Sequence, residues 1–332
     1  MVKIVDVARL AGVSSATVSR VLNNVPTVDQ SLAERVRSAA DELAYRPNGV
    51  ARNLRRQRTD VWALIISDIE NPFFTAVARG VEDVAREHGF SVLLCNSDEN
   101  RGKEDRYLQV AEQEQVAGVI ISPNMRGSDV ARLVDASIPV VTIDRTVRKP
   151  VDSVTVQSRR GARGATQHLF DSGWRRPACI TGPDYAQTAE DRLQGYLDAI
   201  ARAPRRMTQG LVRHTDFQEA GAVAAAASLL DVPDPPDAFF VANATMTLGV
   251  LQELAERGLK PGRDVGLVAF DDAPWARLTD PALTVVAQPT HEIGATAGHL
   301  LTERITGSAR KRARHIVLST ELIVRESSLR HR

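Results

Sequence analysis

Cysteine is scarce in this chain. Only Cys95 and Cys179 occur among 332 residues, with neither paired nor metal-ligand spacing, which excludes a disulfide framework and a cysteine-based zinc site. Each lies next to strand-like apolar residues, so we expect two buried free thiols in a reducing compartment. No apolar run approaches the roughly 18 residues of a membrane span, and the N-terminus lacks the apolar core of a signal peptide. We therefore expect a cytoplasmic protein with no membrane partner.

The motifs of common enzyme classes are lacking as well. The sequence has no G-x-G-x-x-G after a strand, no P-loop, no H-E-x-x-H and no G-x-S-x-G. Its seven histidines form no evident metal-ligand cluster. We expect no catalytic site, no metal and no cofactor. An enzyme carrying an N-terminal nucleic-acid-binding segment is the alternative from another functional class.

Positive charge is concentrated at the beginning of the chain. The formal net charge is only +1, and 43% hydrophobic with 25% charged residues is ordinary for a folded globular protein. Residues 1–60, however, hold 10 Lys and Arg against 6 Asp and Glu, a net +4, which leaves a net −3 for the other 272 residues. A basic first part is what a contact to the phosphate backbone requires.

Residues 5–24 predict two short helices joined by a tight turn. Gly12 suits a helix C-terminus, and Ser14 suits the N-cap of the next helix. Such a pair, with glycine in a short turn, is typical of the helix-turn-helix motif. An ordinary helical hairpin with a solvated polar face is the alternative. The residues that recur at helical spacing, and would pack inward, are Val7, Ala8 and Ala11, then Val18, Val21 and Leu22.

The opposite face of the second helix would carry Ser15, Ala16, Ser19 and Arg20. Small side chains at the start of a helix allow close approach to a base-pair edge. An arginine can offer a bidentate fork to guanine or hold a phosphate. This face is therefore predicted to contact DNA.

A third helix is predicted over residues 30–43, with Asp29 as its cap. Residues 45–58 then combine a proline break with five arginines and little acid. One interpretation is a basic linker between domains. The other is a short helix that orders on DNA, with Leu54 wedged between base steps in the minor groove.

From residue 61 onward, short apolar runs alternate with helical stretches, a pattern typical of parallel sheets flanked by helices. The basic run 310–314 is interpreted as a solvated loop with no role in DNA binding. Predicted strands cover residues 61–67, 91–95, 118–121, 139–143, 178–181, 238–241, 265–270, 316–318 and 321–324. Predicted helices cover residues 73–88, 103–115, 129–135, 161–171, 189–202, 218–230, 245–257 and 291–304.

An ordered series of sequence blocks resembles the lactose/galactose repressor (LacI/GalR) family of bacterial transcriptional regulators. One block alone would be weak, but the series spans nearly the whole chain in the family's order. The blocks are Asp6-Val7-Ala8, Ala11-Gly12-Val13-Ser14, Ala16-Thr17-Val18-Ser19-Arg20-Val21-Leu22-Asn23, Tyr45-Arg46-Pro47-Asn48, Asp68-Ile69-Glu70-Asn71-Pro72-Phe73-Phe74, Arg192-Leu193-Gln194-Gly195-Tyr196, Phe270-Asp271-Asp272 and Glu321-Leu322-Ile323-Val324-Arg325-Glu326-Ser327.

The resemblance implies an α/β protein with an N-terminal all-α helix-turn-helix domain and a two-lobed, periplasmic-binding-protein-like core of parallel sheets flanked by helices. The DNA-binding domain would be residues 1–46, the hinge helix 47–58, and the effector-binding and dimerisation core 59–332. One lobe would combine about 60–158 with 289–318, and the other about 159–286 with 319–332.

The resemblance also implies the partners. A homodimer would bind a pseudo-palindromic double-stranded DNA operator, with one helix-turn-helix on each half-site and the two hinge leucines kinking a central step. Ser15, Ala16 and Arg20 match base-reading positions, and Leu54 matches the wedge. The full set of implied DNA-binding residues is Ser14, Ser15, Ala16, Thr17, Ser19, Arg20, Asn23, Asn48, Ala51 and Leu54.

A small-molecule effector would bind in the cleft between the lobes. We expect a sugar or sugar derivative and a repressor of a carbohydrate-utilisation operon; a purine, nucleoside or other non-sugar ligand is the alternative. Either sign of regulation uses the same parts, so induction and co-repression both stay open. Each matched residue also has a plain interpretation as core or loop brace. The matched effector-binding residues are Phe73, Phe74, Asp144, Arg192, Phe217, Asn243 and Asp271.

The sequence departs from the family pattern at several places. Lys3 stands where a capping threonine is usual, Gln157 and its neighbours lack the usual Asp-Asn pair, and Ala244 replaces a usual aspartate. These changes leave the DNA-binding expectation intact but leave the effector's identity open. No leucine heptad follows the last predicted strand, so we expect a dimer and no tetramer formed by that route. The missing signal peptide argues against an exported sugar-binding protein, and the size of the core argues against a purely architectural DNA binder.

Overall fold

The computed structural model describes residues 2–22, 28–45, 59–203, 210–309 and 311–330. The chain divides into two compact units, Met1–Arg58 and Thr59–Arg332. Among the described residues, no helix combines the length and apolar character needed to cross a bilayer. Both cysteines are buried and free, as the sequence predicts.

The first unit contains three helices in its described part, α1 (Ile4–Ala11), α2 (Ser15–Leu22) and α3 (Gln30–Glu42). Gly12 ends α1 in the left-handed region at φ 66°. The Ser14 hydroxyl accepts a hydrogen bond from the Thr17 backbone N–H at 3.1 Å, which caps α2 as predicted. The helices enclose one small apolar cluster of Val7, Ala8, Ala11, Val18, Val21, Ala33, Val36, Ala39 and Ala40.

Lys3 occupies the N-cap of α1 and makes no side-chain capping bond. The Asp6 carboxylate instead accepts a hydrogen bond from the Lys3 backbone N–H at 2.9 Å. An acidic group in the first turn also complements the positive end of the helix dipole. Asp6 thus supplies only the reciprocal half of a capping box, and the Asp6 backbone N–H, whose hydrogen bond a threonine side chain would accept, donates to the Lys3 carbonyl at 2.9 Å.

The second unit alternates strands and helices along the chain. Its first half comprises β1 (Val61–Ile66), α4 (Pro72–Glu87), β2 (Ser91–Asn96), α5 (Arg101–Gln113), β3 (Gly118–Ile121), α6 (Ala131–Asp135), β4 (Val140–Ile143), β5 (Asp152–Val156), α7 (Ser158–Asp171), β6 (Pro177–Thr181) and α8 (Gln187–Ile200). The second half comprises β7 (Val212–His214), α9 (Glu219–Leu230), β8 (Ala238–Val241), α10 (Ala244–Glu256), β9 (Gly266–Phe270), β10 (Thr284–Ala287), α11 (Thr290–Thr306), β11 (His315–Leu318), β12 (Glu321–Ile323) and a 3-10 turn (Glu326–Ser328).

The described strands form two sheets of six. The first has the order β11-β5-β4-β3-β1-β2, and the second has the order β12-β10-β9-β8-β6-β7. All pairs are parallel except β10 with β12. The chain passes from the first sheet to the second after β5, returns after β10, and crosses again between β11 and β12. We call the two sheets with their helices lobe 1 and lobe 2.

The central strands of each sheet are buried on both faces, whereas the strands β2, β11 and β12 at the sheet edges are partly exposed. In β1, Trp62 and Leu64 pack into one apolar cluster, whereas Ala63 and Ile65 pack into another. This period of two places successive side chains on opposite faces of a central strand. Helices therefore cover both sides of the sheet, and only the ends of the strands are left to form a polar site.

Three strands were not predicted from the sequence. The missed strands are β5, β7 and β10, and the physical reason is the same for the first two. β5 begins with the buried charge of Asp152, and β7 is a three-residue edge strand that contains Arg213, so neither reads as an apolar run. β10 has only three apolar residues after Thr284, which is too short a run to stand out between two loops. The other strands and the helices predicted within the described residues are present, with ends shifted by up to three residues, and the predicted hinge helix 47–58 lies outside the described residues.

The interpretation of residues 310–314 as a solvated loop is wrong for Arg314. Its backbone N–H donates to the Asp152 carboxylate at 2.7 Å, and its guanidinium donates to Asp152 at 3.3 Å and to Glu303 at 2.7 Å. Arg304 adds a two-bond fork to Asp152 at 2.9 and 2.8 Å. The buried charge at the start of β5 explains the error, because it recruits an arginine that sequence pattern assigns to solvent.

Candidate functional site

Helix α2 presents the predicted DNA-contacting face outward. Val18 and Val21 are buried in the small core, while Ala16 and Arg20 are exposed and Ser15 and Ser19 are half-buried. The Ser14 and Thr17 hydroxyls lie 2.9 Å apart and hydrogen-bond to each other. A short polar face that carries the exposed guanidinium of Arg20 is compatible with entry into a DNA groove.

The α1–α2 turn is held rigidly by α3. Arg35 donates from its guanidinium to the Ala11 carbonyl at 2.5 Å, and a side chain on Gly12 would come within 3.1 Å of that guanidinium. Asp29 caps α3 by accepting from Ser31 and Leu32, and the Ser31 hydroxyl lowers the pKa of the Asp29 carboxyl the most. The predicted contact residues Asn23, Asn48, Ala51 and Leu54 lie outside the described residues.

A second site lies between the lobes, at the carboxyl ends of the strands. Open α/β sheets bind ligands at this edge. All seven predicted effector-binding residues line one cavity there, and five further side chains join them: Asp68, Asn71, Glu99, Arg145 and Thr188. The free space is about 20 Å³, enough for roughly one water molecule. A larger molecule therefore requires movement of side chains or lobes.

Aromatic rings enter this cleft from both lobes. Phe73 and Phe74, in the first turn of α4, meet edge-to-face with ring centroids 4.9 Å apart. Phe217 enters from lobe 2 and has a left-handed backbone at φ 68°. Gly182 is required opposite it, because a Cβ there would lie 2.2 Å from the Phe217 ring. Nearly complete burial of the three rings gives the cleft apolar walls.

Two asparagines in the cleft cap helices. Asn71 accepts from the Phe73 backbone N–H at 3.0 Å at the start of α4. Asn243 accepts from Met246 N–H at 2.7 Å at the start of α10, and its amide nitrogen donates to the Phe217 carbonyl at 3.3 Å. These asparagines therefore brace the cleft whether or not they touch a ligand.

Ionisable groups concentrate in the same space. Burial raises the pKa of the Asp144 and Asp271 carboxyls, and both residues have left-handed backbones at φ 64° and 78°. Backbone strain of this kind persists where surrounding contacts over-determine it, often at functional sites. Gln288 donates to Asp271 at 2.5 Å. Arg192 donates to the Ala242 carbonyl at 2.5 Å, and its guanidinium carbon lies 3.9 Å from the Phe270 ring centroid.

The residue missed most conspicuously is Arg145. Its guanidinium makes a two-bond fork with Glu99, at 2.7 and 2.5 Å, and lies 3.4 Å from Asp144. It reaches lobe 2 through the Thr188 hydroxyl at 3.4 Å and the Phe217 ring at 5.3 Å. The available signal was its position, since Arg145 follows directly on Asp144 beyond the end of β4.

The cleft leaves hydrogen-bonding capacity unused. The buried side-chain atoms that lack a hydrogen-bond partner in the described part of the chain include the Arg192 Nε in the cleft and the Oε1 of Gln288, whose amide binds Asp271 at the border of a neighbouring cavity. Buried polar atoms in folded proteins are nearly always satisfied, so such atoms point to a missing partner. A ligand with several hydroxyl groups could supply donors and acceptors to both.

The two units have the architecture of a helix-turn-helix module and a periplasmic-binding-protein-like core within one chain. Residues 3–48 match the model for bacterial regulatory proteins of the lacI family, and residues 166–328 match the model for a periplasmic binding protein-like domain. A ribose operon repressor of Halalkalibacterium halodurans is 36% identical over 328 residues, 99% of this chain and 97% of that protein. The chain belongs to the LacI family of bacterial transcriptional regulators.

Solved structures agree with this assignment. A complex of the transcriptional regulator CelR with cellobiose is 34% identical, with a TM-score of 0.74 over 98% of this chain and 100% of the other. The lac repressor dimer bound to operator and the anti-inducer ONPF is 26% identical, with a TM-score of 0.87 over 99% of both chains. The resemblance inferred from the sequence blocks and the expected fold class are thus confirmed.

Proposed function

We propose that this chain is a sequence-specific DNA-binding repressor of a carbohydrate-utilisation operon, controlled by a small sugar bound between its lobes. It acts by binding and not by catalysis. The observation that carries the proposal is the cleft, where aromatic rings and charged or amide side chains from both lobes line one cavity. The seven effector-binding residues predicted from the sequence are assigned to this role.

The chemistry of the cleft favours a neutral sugar. Sugar rings offer apolar faces to aromatic rings, and their hydroxyl pairs suit carboxylates, amides and guanidinium forks. The four carboxylates lining the cavity outnumber its two guanidinium groups, which disfavours an added phosphate group. The relatives support sugar chemistry, since one is named a ribose operon repressor and another was solved with cellobiose.

The DNA-binding assignment rests on α2 and the family. Residues 1–46 would bind operator DNA, residues 47–58 would form the hinge helix, and residues 59–332 would bind the effector and dimerise. The lac repressor dimer on its operator supports a two-copy assembly on DNA, and we propose a pseudo-palindromic operator and a cytoplasmic location for this chain. Regulation depends on a coupling free energy between the cleft and the DNA-binding domain. A ligand that prefers one arrangement of the lobes shifts the population of protein molecules that can bind DNA.

A thermal-shift screen of the full-length protein tests the effector class. The panel contains sugars, sugar phosphates, polyols, purines and nucleosides, and a ligand at 100 times its dissociation constant should stabilise the protein by about 2.7 kcal/mol. The shift should disappear in Arg192→Ala and Asp271→Ala. Gel-shift titration against DNA selected from a random pool then shows whether the same ligand releases or strengthens operator binding.

The outcomes separate the readings. A sugar that stabilises the protein and changes DNA affinity supports the proposal. If a purine or nucleoside stabilises the protein and no sugar does, the proposed effector class is wrong but the assignment as a DNA-binding regulator stands. If selection from the random pool yields no preferred DNA sequence, the DNA-binding assignment itself is contradicted.

A further inference from the structure

A second cavity adjoins the effector cleft on the outer side. It offers about 440 Å³ of free space and is lined by Asp68, Ile69, Glu70, Asn96, Asp98, Glu99, Tyr185, Asp216 and Gln218. Asp68 and Glu99 line both cavities. These two side chains therefore form the wall between an inner space of about 20 Å³ and the much larger outer one.

The wall is fixed by a buried ion pair. Glu99 binds the Arg145 guanidinium through both carboxylate oxygens, and the two side chains are only 12% and 4% exposed. Bidentate pairs of this kind are strong and geometrically specific. Asp98 and Glu99 both adopt left-handed backbones, at φ 49° and 51°, and the Glu99 N–H is held by the Ser67 carbonyl at 2.9 Å. A strained turn thus directs Glu99 onto Arg145.

The outer cavity has the chemistry of a carbohydrate subsite. Tyr185 is 53% exposed and offers a ring face on which a sugar can stack. Carboxylates of Glu70 and Asp216 offer acceptors for hydroxyl groups, whereas the Asp98 carboxylate already binds Lys103 and Asn96. The inner cleft already provides the rings and polar groups for one sugar, so the outer cavity lies where a second sugar residue would extend.

We propose that Glu99 sets effector length: when the lobes move to admit a sugar to the inner cleft, its pair with Arg145, which lies wholly within lobe 1, still closes the cleft on this side and excludes longer glycosides from the outer subsite at Tyr185. The inference rests on the proposed sugar-binding function of the inner cleft. Removing the Glu99 side chain takes away one of the two wall side chains and leaves Arg145 with its contacts to Asp144 and Thr188, which opens a passage beside Asp68 between the two cavities. A disaccharide could then place its second ring against Tyr185.

Isothermal titration with D-ribose, D-glucose, cellobiose and maltose tests this proposal. Wild-type protein should bind a monosaccharide and discriminate against disaccharides. Glu99→Ala should improve the disaccharide-to-monosaccharide affinity ratio roughly tenfold or more, the range that pocket shape alone can control. Adding Tyr185→Ala to Glu99→Ala should remove that gain. Glu112→Ala, which breaks a two-bond pair with Arg132 elsewhere in lobe 1, is the matched control and should leave the ratio unchanged.

Three results would overturn the proposal. The first is wild-type protein that binds a disaccharide as tightly as any monosaccharide. The second is Glu99→Ala that loses monosaccharide affinity without gaining disaccharide affinity, which would make Glu99 an ordinary ligand contact. If Glu99→Ala does not fold, Glu99→Gln decides the question in the same direction, because an amide cannot accept both arginine bonds. The third is a wild-type protein that binds no sugar at all, which overturns the proposed function together with the length limit.

Discussion

Replacing Asp152 with alanine removes a carboxylate that ties three parts of lobe 1 together. Its side chain is fully buried at the start of β5. It accepts a fork from Arg304 of α11 and both backbone and guanidinium bonds from Arg314, which precedes β11. The variant leaves two guanidinium groups, 23% and 27% exposed, without their shared counter-charge.

Breaking a buried ion pair by removing one partner costs about 3–5 kcal/mol. Each arginine side chain is already about a quarter exposed, so its guanidinium can turn partly toward water in the variant. We therefore expect the free energy of unfolding to fall by about 3 kcal/mol, the lower end of that range. At about 2–4 °C per kcal/mol for a domain of this size, Tm should fall by roughly 6–12 °C. Asp198→Ala is the matched control, because its two-bond partner Arg159 is 57% exposed, and such pairs contribute at most about 1 kcal/mol.

The pH dependence gives an independent check. Burial pushes the pKa of Asp152 up, but the hydrogen bonds from Arg304 and Arg314 outweigh it and leave the pKa lowered. A lowered native pKa stabilises the fold above the ordinary value of about 3.9, and this contribution is lost as pH falls through the native pKa. The difference between wild type and Asp152→Ala in urea unfolding should therefore be full at pH 7 and shrink below about pH 4. A difference no larger than that of Asp198→Ala, or one independent of pH, refutes the reasoning.

The remaining predictions concern DNA, packing and ligand. Arg20→Ala should weaken operator binding by about 1–3 kcal/mol and relax preference at one symmetric pair of base positions; equal weakening on all sequences in a gel shift would reduce Arg20 to a phosphate contact. Gly195→Ala should destabilise the protein by about 1–3 kcal/mol, because the new Cβ would lie 2.2 Å from the Arg159 carbonyl oxygen. The control Gly164→Ala meets nothing within 4 Å and should stabilise the protein by about 0.5–1 kcal/mol. Equal effects of the two variants in urea unfolding would contradict the close helix contact at Gly195. Arg192→Ala should weaken the effector by about 1.5–3 kcal/mol, the range for a charged hydrogen bond; an unchanged dissociation constant in calorimetry would exclude Arg192 from the site.

Sequence pattern was sufficient for the elements that follow simple periodicity. The helical spacing of Val18 and Val21 and the capping chemistry of Ser14 correctly gave the orientation of α2. Strands that are buried on both faces, such as β1, read as apolar runs. β5 does not, because its first residue is a buried aspartate whose partners, Arg304 and Arg314, come more than 150 residues later. Such a pairing depends on sheet order, which local pattern does not contain.

The cleft shows the same division between local and long-range information. Asp144 and Asp271 were predicted from their match to the family, and each also follows the end of a recognisable strand. The Glu99–Arg145 pair could not, since Glu99 follows β2 and Arg145 follows β4. The order β4-β3-β1-β2 brings those two loops to the same edge, and only that order makes them neighbours. Pairs of this kind therefore escape a sequence analysis that does not know the strand order.

The bonding within the cleft has a consequence for how a ligand can control the protein. Asn243 already holds α10 and the Phe217 carbonyl, and Arg192 already holds the Ala242 carbonyl. Because exchange of one hydrogen bond for another yields only about 0.5–1.5 kcal/mol, a ligand gains little by displacing these existing bonds, and its gain from Arg192 comes from the Nε that has no partner. It gains more by moving groups whose partners lie across the cleft, such as Arg145 with Thr188. The free energy of ligand binding then changes the arrangement of the two lobes relative to each other. A regulator of DNA binding must change this arrangement.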